Sequence, residues 1–355
     1  MVKKLKRFKL SNLALLLMGL SYAVRPVYLS NSGLPQMSDF FIAFSAIILL
    51  CDKFLAPNSY ILSNMQKYMT LVLIYFVLVN TASGLFFGSG NQVPYLIYSI
   101  FYLTIFLAYS SVDSDKVIRV LYIFGFLGLG VLAIQLQLGV QNSASPVRVS
   151  LGFNNPNQLG QYCLIISAVA LYSGRKYGFS LMTAMQILLA AFFLVLSLSK
   201  AAIVSLLVVF FLVFSTSRIS LLVVGLLASI YFYLNINIFN VSEISLAVDR
   251  ILSIGSQSDD SLDGRGYNYI VDYYQYLVFG AGEGFFREVG GEIEIHSLFG
   301  TILFNYGIFA FATYIILVFR LSMNKYNYII FLPIMLFGIT HNIIRDEVLW
   351  VLIAV

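Results

Sequence analysis

Apolar residues come in long, nearly uninterrupted runs, and polar residues are confined to short gaps between them. The runs predict helices near 11–27, 39–56, 68–88, 93–110, 118–139, 158–173, 179–198, 201–216, 219–239, 297–319 and 328–342. A helix needs about 20 apolar residues to cross a bilayer core. A C-terminal run at 347–355 is too brief to cross unless it begins near Asn342. The pattern therefore predicts an all-α, polytopic integral membrane protein with eleven or twelve transmembrane helices. Residues 1–355 form one membrane domain, without an internal repeat or a detachable soluble part.

The polar gaps are uneven. Most are short, but 240–296 forms one long loop with ten acidic residues and three arginines, and 140–157 forms a second. Long loops in a chain otherwise stripped of them are where function concentrates. Composition agrees: 60% of the 355 residues are hydrophobic and 10% charged, against about 45–50% and about 25% in soluble domains. This excludes a soluble enzyme, a disordered chain and a disulfide-rich module. Cys51 and Cys163 both lie in apolar stretches and read as small buried hydrophobes.

Charge sets an expected orientation. The net charge of +5 suggests no nucleic-acid partner, because five basic residues, Lys3 to Lys9, simply precede the first apolar run. Residues 1–23 imitate a signal peptide, but an uncleaved first helix fits a chain with many further spans. With that end inside, 14 lysines and arginines fall inside and 7 outside, the bias of the positive-inside rule. Both long loops are then outside.

Several cations at one face, near bilayer depth, are costly unless they meet an anion. Arg148, Lys200, Arg265 and Arg345 lie on the outer side, and lipid phosphate or pyrophosphate would satisfy them. Arg25 and Arg250 read as arginines snorkelling to headgroups. His296 stands where the long loop re-enters the membrane, and histidine can take a proton from a hydroxyl near neutral pH; an interfacial histidine held by backbone is the alternative. His341, deeper in an apolar run, reads first as a packing residue with a possible supporting role. The run Gly280-Ala281-Gly282-Glu283-Gly284 is either a backbone N–H nest for an anion or a tight packing turn. Tyr269, Tyr273 and Tyr276 would share one face of a helix, to anchor at the interface or to line a sugar cleft. Asp113-Ser114-Asp115 reads as a helix N-cap rather than a metal-binding Asp-x-Asp. Asp259, Asp260 and Asp263 read as solvated loop acids, and no His/Cys cluster has metal spacing.

The order of these motifs resembles a known family. Gly152-Phe153-Asn154-Asn155-Pro156-Asn157 is followed by Ser199-Lys200-Ala201-Ala202, Gly264-Arg265, the glycine run, and His296-Ser297-Leu298 leading to Asn305-Tyr306-Gly307. Over roughly 145–345 the chain resembles the Wzy-type O-antigen polymerase and O-antigen ligase superfamily of bacterial membrane glycosyltransferases. The resemblance implies a GT-C-like fold in the bacterial inner membrane, with a periplasmic active site and no cofactor. It implies transfer of glycans from undecaprenyl pyrophosphate, with a lipid-linked oligosaccharide as both donor and acceptor. It also implies a Wzz-type chain-length co-polymerase as partner, besides membrane lipid. By resemblance His296 activates the acceptor hydroxyl and Arg265 engages pyrophosphate. Arg148, Lys200, Asn157, Tyr269, Tyr273, Gly282, Arg345 and His341 are the expected substrate-binding residues. Lys200 stands where the family has Ser-Arg, which keeps the charge and loses the fork; Ser297 stands where many members have Asn. The rival functions are ligation of glycan to lipid A core, a lipid-linked glycan flippase or transporter, and an inactive assembly subunit.

Overall fold

A computed structural model describes residues 10–28, 36–55, 62–142, 148–214, 265–291 and 293–355. Within them there is no strand, and every predicted apolar run is helical. The long helices are α1 (Leu10–Val24), α2 (Met37–Leu55), α3 (Asn64–Phe87), α4 (Val93–Tyr109), α5 (Ser114–Gln137), α6 (Pro156–Tyr177), α7 (Leu181–Leu196) and α8 (Lys200–Phe214). After the predicted run 219–239, which lies outside the described residues, come two short helices, α9 (Asn268–Asp272) and α10 (Phe285–Glu288). Then follow α11 (Leu298–Ser322), α12 (Tyr328–Gly338) and α13 (Glu347–Ala354).

Among the described residues, four helical stretches are long and apolar enough to cross a membrane: Asn64–Phe87, Gly90–Tyr109, Ser114–Gln137 and Leu298–Ser322. The chain is thus a helical protein of membrane character. The apolar helices α1, α7, α8 and α12 have 15, 16, 15 and 11 residues, short of the ~20 that span a bilayer core.

Local chemistry fixes where helices start. Ser63 and Gln66 form a capping box at α3, whose far end is closed by Gly88 at φ 64°. The Asp113 carboxylate accepts from the Asp115 N–H at the start of α5, the cap expected from sequence. Asn155 caps α6 and Pro156 follows, where its missing N–H costs nothing. Helix α6 is the centre of the bundle: sixteen of its residues are buried, against α5, α7, α8 and α12.

Helix α11 contains a break that shapes the loop before it. Gly307 has φ 81° and ψ 170° inside the helix, so the carbonyls one turn earlier lose their helical donors. The glycine-rich turn supplies replacements: Ala281 N–H donates to Phe304 O at 3.0 Å and Gly282 N–H to Asn305 O at 2.9 Å. Only glycine fits at the meeting point, because a Cβ on Gly307 would stand 2.4 Å from Val278 O.

Candidate active site

Chain direction brings the C-terminal ends of α1, α5, α7 and α12 and the starts of α6, α8, α11 and α13 to one end of the bundle. Two adjoining cavities open there, of about 220 and 290 Å³. The smaller holds His296, His341, Asn157 and Glu294. The larger holds Arg25, Tyr28, Asp39, Phe153, Asp346 and Glu347. Gln158, Gln161, Asn342 and Arg345 line both.

Backbone bonds stitch three distant segments around the smaller cavity. His296 N–H donates to Arg265 O at 3.0 Å, and Leu298 N–H to His341 O at 3.1 Å. The Arg265 guanidinium donates through Nη1 to Thr340 O at 3.0 Å. The His296 ring is exposed, and its Nδ1 lies 2.7 Å from Glu294 O. A carbonyl oxygen can only accept, so Nδ1 carries the hydrogen, and in the neutral ring it is Nε2 that holds the lone pair. That is the tautomer of a general base. His341 stacks on Phe337 at 4.3 Å between centroids, and its Nδ1 meets Thr340 Oγ1 at 2.9 Å. Burial pulls its pKa down to about 4, helped by the positive charges of Arg265 and Arg148 and by that of His296 when protonated. It is therefore neutral at pH 7. Packing and cavity lining are both its roles.

Arg148 ties the start of α6 to the end of α7: Nη2 donates to Asn157 Oδ1 at 2.5 Å and Nε to Ser197 O at 3.1 Å. Lys200 opens α8 just after, beyond a turn in which Leu198 takes φ 48°. The residues Arg265, Arg148, Asn157, His296 and His341, far apart in sequence, thus gather near one cavity.

Other expectations are corrected. Arg345 lines both cavities, but its charge is matched within the protein. Its Nη2 lies 3.1 Å from Glu283 Oε2 and 2.7 Å from Glu294 Oε2, and the guanidinium sits 4.9 Å above the Tyr95 ring. An arginine bound to two carboxylates is not a phosphate fork. Burial raises the Glu283 carboxyl above its ordinary value, opposed by Arg345 and by the Tyr306 hydroxyl that donates to it. Gly282 forms no anion nest, because the turn's N–H groups have internal acceptors. Besides the two on α11, Gly280 N–H donates to Tyr276 O, Glu283 N–H to Asn80 Oδ1 and Gly284 N–H to Gln92 Oε1. The expected tyrosine face does not form, since the helix breaks at Tyr273 (φ −122°, ψ 38°). Tyr269 and Tyr273 instead enter an aromatic core with Phe285 and Phe304, outside both large cavities.

Arg25 is not a snorkelling residue. Its Nη1 is 2.8 Å from Asp346 Oδ1, with the two side chains 16% and 2% exposed, and Glu347 stands 3.9 Å away. Gln161 donates to the other oxygen of Asp346. Sequence reasoning passed over this pair, and over Glu294, Gln158, Gln161 and Asn342. The signal was the triplet Arg345-Asp346-Glu347 between two apolar runs, together with glutamines inside α6. Asp259, Asp260, Asp263 and Arg250 lie outside the described residues, among which no His/Cys/Asp/Glu group could hold a metal ion. Comparison with protein-family models, curated proteins and solved structures finds no match to the chain.

Proposed function

We propose that the protein is a membrane glycosyltransferase that polymerises lipid-linked oligosaccharide repeat units into a bacterial surface polysaccharide of the O-antigen or capsule type. On this reading all eleven or twelve apolar segments lie in the inner membrane in a GT-C-like arrangement, and the two cavities open on the periplasmic side. The observation that carries the proposal is His296: a histidine at a cavity wall, its Nδ1–H fixed by Glu294 O, with its backbone N–H bonded to Arg265 O.

The chemistry follows from that arrangement. A hydroxyl of the incoming repeat unit attacks C1 of the growing chain's reducing-end sugar, and the bond from C1 to the pyrophosphate oxygen breaks. The hydroxyl proton passes to His296 Nε2, and undecaprenyl pyrophosphate leaves with the bonding pair. Arg265, Lys200 and Arg148 stabilise the charge that develops on the leaving oxygen. Glu294 O holds the imidazole in the tautomer that can accept, and neutral His341 adds no positive charge beside it. A general base of this kind contributes about 10²–10⁴-fold. A Wzz-type co-polymerase would set chain length.

The test is the lipopolysaccharide ladder of a deletion strain carrying wild type, His296→Ala or Arg265→Ala at matched membrane levels. A ladder from wild type, and core with a single repeat unit from each variant, is the expected result. Lipid-linked polymer that accumulates while core stays uncapped would make the protein a ligase instead. Full complementation by both variants would remove His296 and Arg265 from the chemistry and favour a transporter or assembly role.

A further inference from the structure

The two cavities differ in charge, and this divides their ligands. In the larger one Arg25 and Arg345 face Asp39, Asp346 and Glu347, an excess of one formal negative charge. Both arginines are already matched: Arg25 by Asp346 and Glu347, and Arg345 by Glu283 and Glu294. A pyrophosphate or a carboxylate brought there would meet carboxylates without an available cation, even with one buried carboxyl protonated. The rest of the wall suits a different ligand. Gln158, Gln161, Asn154 and Asn342 offer planar amides, each with donors and acceptors. Tyr28 and Phe153 meet edge to face at 5.8 Å and, with Tyr98, present aromatic surface. The frame is rigid, because Asp346 is held at once by Arg25, Gln161 and the Val348 N–H. Amides, fixed carboxylate oxygens and aromatic faces are the chemistry that receives an uncharged sugar.

We infer that the larger cavity is a glycan-binding chamber for a neutral sugar residue, distinct from the cationic side where a pyrophosphate would lie, and that it excludes acidic sugars. Resting on the function proposed above, this makes it the chamber of the incoming acceptor unit. Gln158, Gln161 and Asn342 form the shared wall across which the acceptor hydroxyl reaches His296. The chain then joins repeat units whose acceptor sugar carries no carboxylate.

The experiment is saturation-transfer NMR on the full chain in lipid nanodiscs. The probes are a panel of methyl glycosides of neutral hexoses and N-acetylhexosamines, then glucuronate, then inorganic pyrophosphate. Wild type should transfer to at least one neutral glycoside and not to glucuronate. Gln158→Leu removes amide hydrogen bonds worth about 1.4 kcal/mol and should weaken that signal about tenfold, with unchanged melting and unchanged pyrophosphate binding; Gln161→Leu should weaken it at least as much and also lower the melting temperature, because it takes a donor from the buried Asp346. Asp39→Asn, which removes one negative charge from the cavity wall, should raise the glucuronate signal relative to the neutral one. Either an undiminished neutral signal in both glutamine variants, equal transfer to glucuronate, or no transfer from any glycoside overturns the chamber. The function proposed above fails separately. If sugar binds as expected but His296→Ala still makes full-length polymer, the chamber stands and the polymerase does not.

Discussion

At the scale of single residues, the site depends on two histidines held in different ways. His296 is oriented by a carbonyl that can only accept, whereas His341 is kept neutral by burial and nearby cations. A histidine whose folded pKa lies below its unfolded value of about 6.5 stabilises the fold fully above that value. The contribution is lost as pH falls from about 6.5 toward the folded value of about 4. Because the chain has two histidines, a His296→Gln protein is a single-histidine reporter. Its ¹⁵N imidazole signals should stay those of the neutral ring from pH 8 down to pH 5; a midpoint near 6.5 would show that His341 is neither buried nor flanked by cations. The Arg25–Asp346 pair makes a second prediction at this scale. Arg25→Met leaves a buried carboxylate uncompensated and should cost about 3–5 kcal/mol, read as a large fall in melting temperature. Arg25→Met with Asp346→Leu should be closer to wild type than Arg25→Met alone. Equal loss in the two proteins would mean that packing, not charge pairing, is what Arg25 supplies.

At the scale of elements, the apolar runs were readable because a helix in a membrane satisfies its own backbone, so hydropathy alone marks it. Caps were readable for the same local reason, as at Asp113 and at Asn155-Pro156. What could not be read is what depends on partners distant in sequence. Arg25 and Arg345 looked like free outer cations, because Asp346 is 321 residues from the first and Glu283 62 residues from the second. The glycine run resembled an anion loop because the acceptors of its N–H groups belong to α3, to the turn before α4 and to the break in α11. That break gives the element-scale prediction. Gly307→Ala combines a positive φ with a Cβ 2.4 Å from Val278 O, whereas Gly88 has φ 64° and nothing within 4 Å. Gly88→Ala should cost about 1–2 kcal/mol, the left-handed penalty alone. Gly307→Ala should cost clearly more and loosen the 278–284 turn, seen as faster amide exchange there. Equal costs would show that the turn does not rest on the break.

At the scale of the whole molecule, alternation of helix direction collects chemistry at one end and leaves the other to structural pairs. The two cavities, His296, His341 and the Arg25 and Arg345 ion clusters all lie at the first end. The opposite end carries Lys176 bonded to Asp115 and stacked over Tyr172 and Tyr177, with Arg119 over the same Tyr177 ring. The expected orientation, with 14 lysines and arginines inside and 7 outside, would put the second end in the cytoplasm. The two ends can be told apart in cells without assuming any activity. In a Cys51→Ser, Cys163→Ala background, Asn91→Cys marks the loop before α4 at the cavity end, and Asn324→Cys marks the turn after α11 at the other. In intact spheroplasts a membrane-impermeant maleimide should label Asn91→Cys alone, and permeabilisation should add Asn324→Cys. The reverse order would turn the cavities toward the cytoplasm. A polymer built from flipped lipid-linked units could not be made there, so the proposed reaction would fall even with every contact around His296 intact.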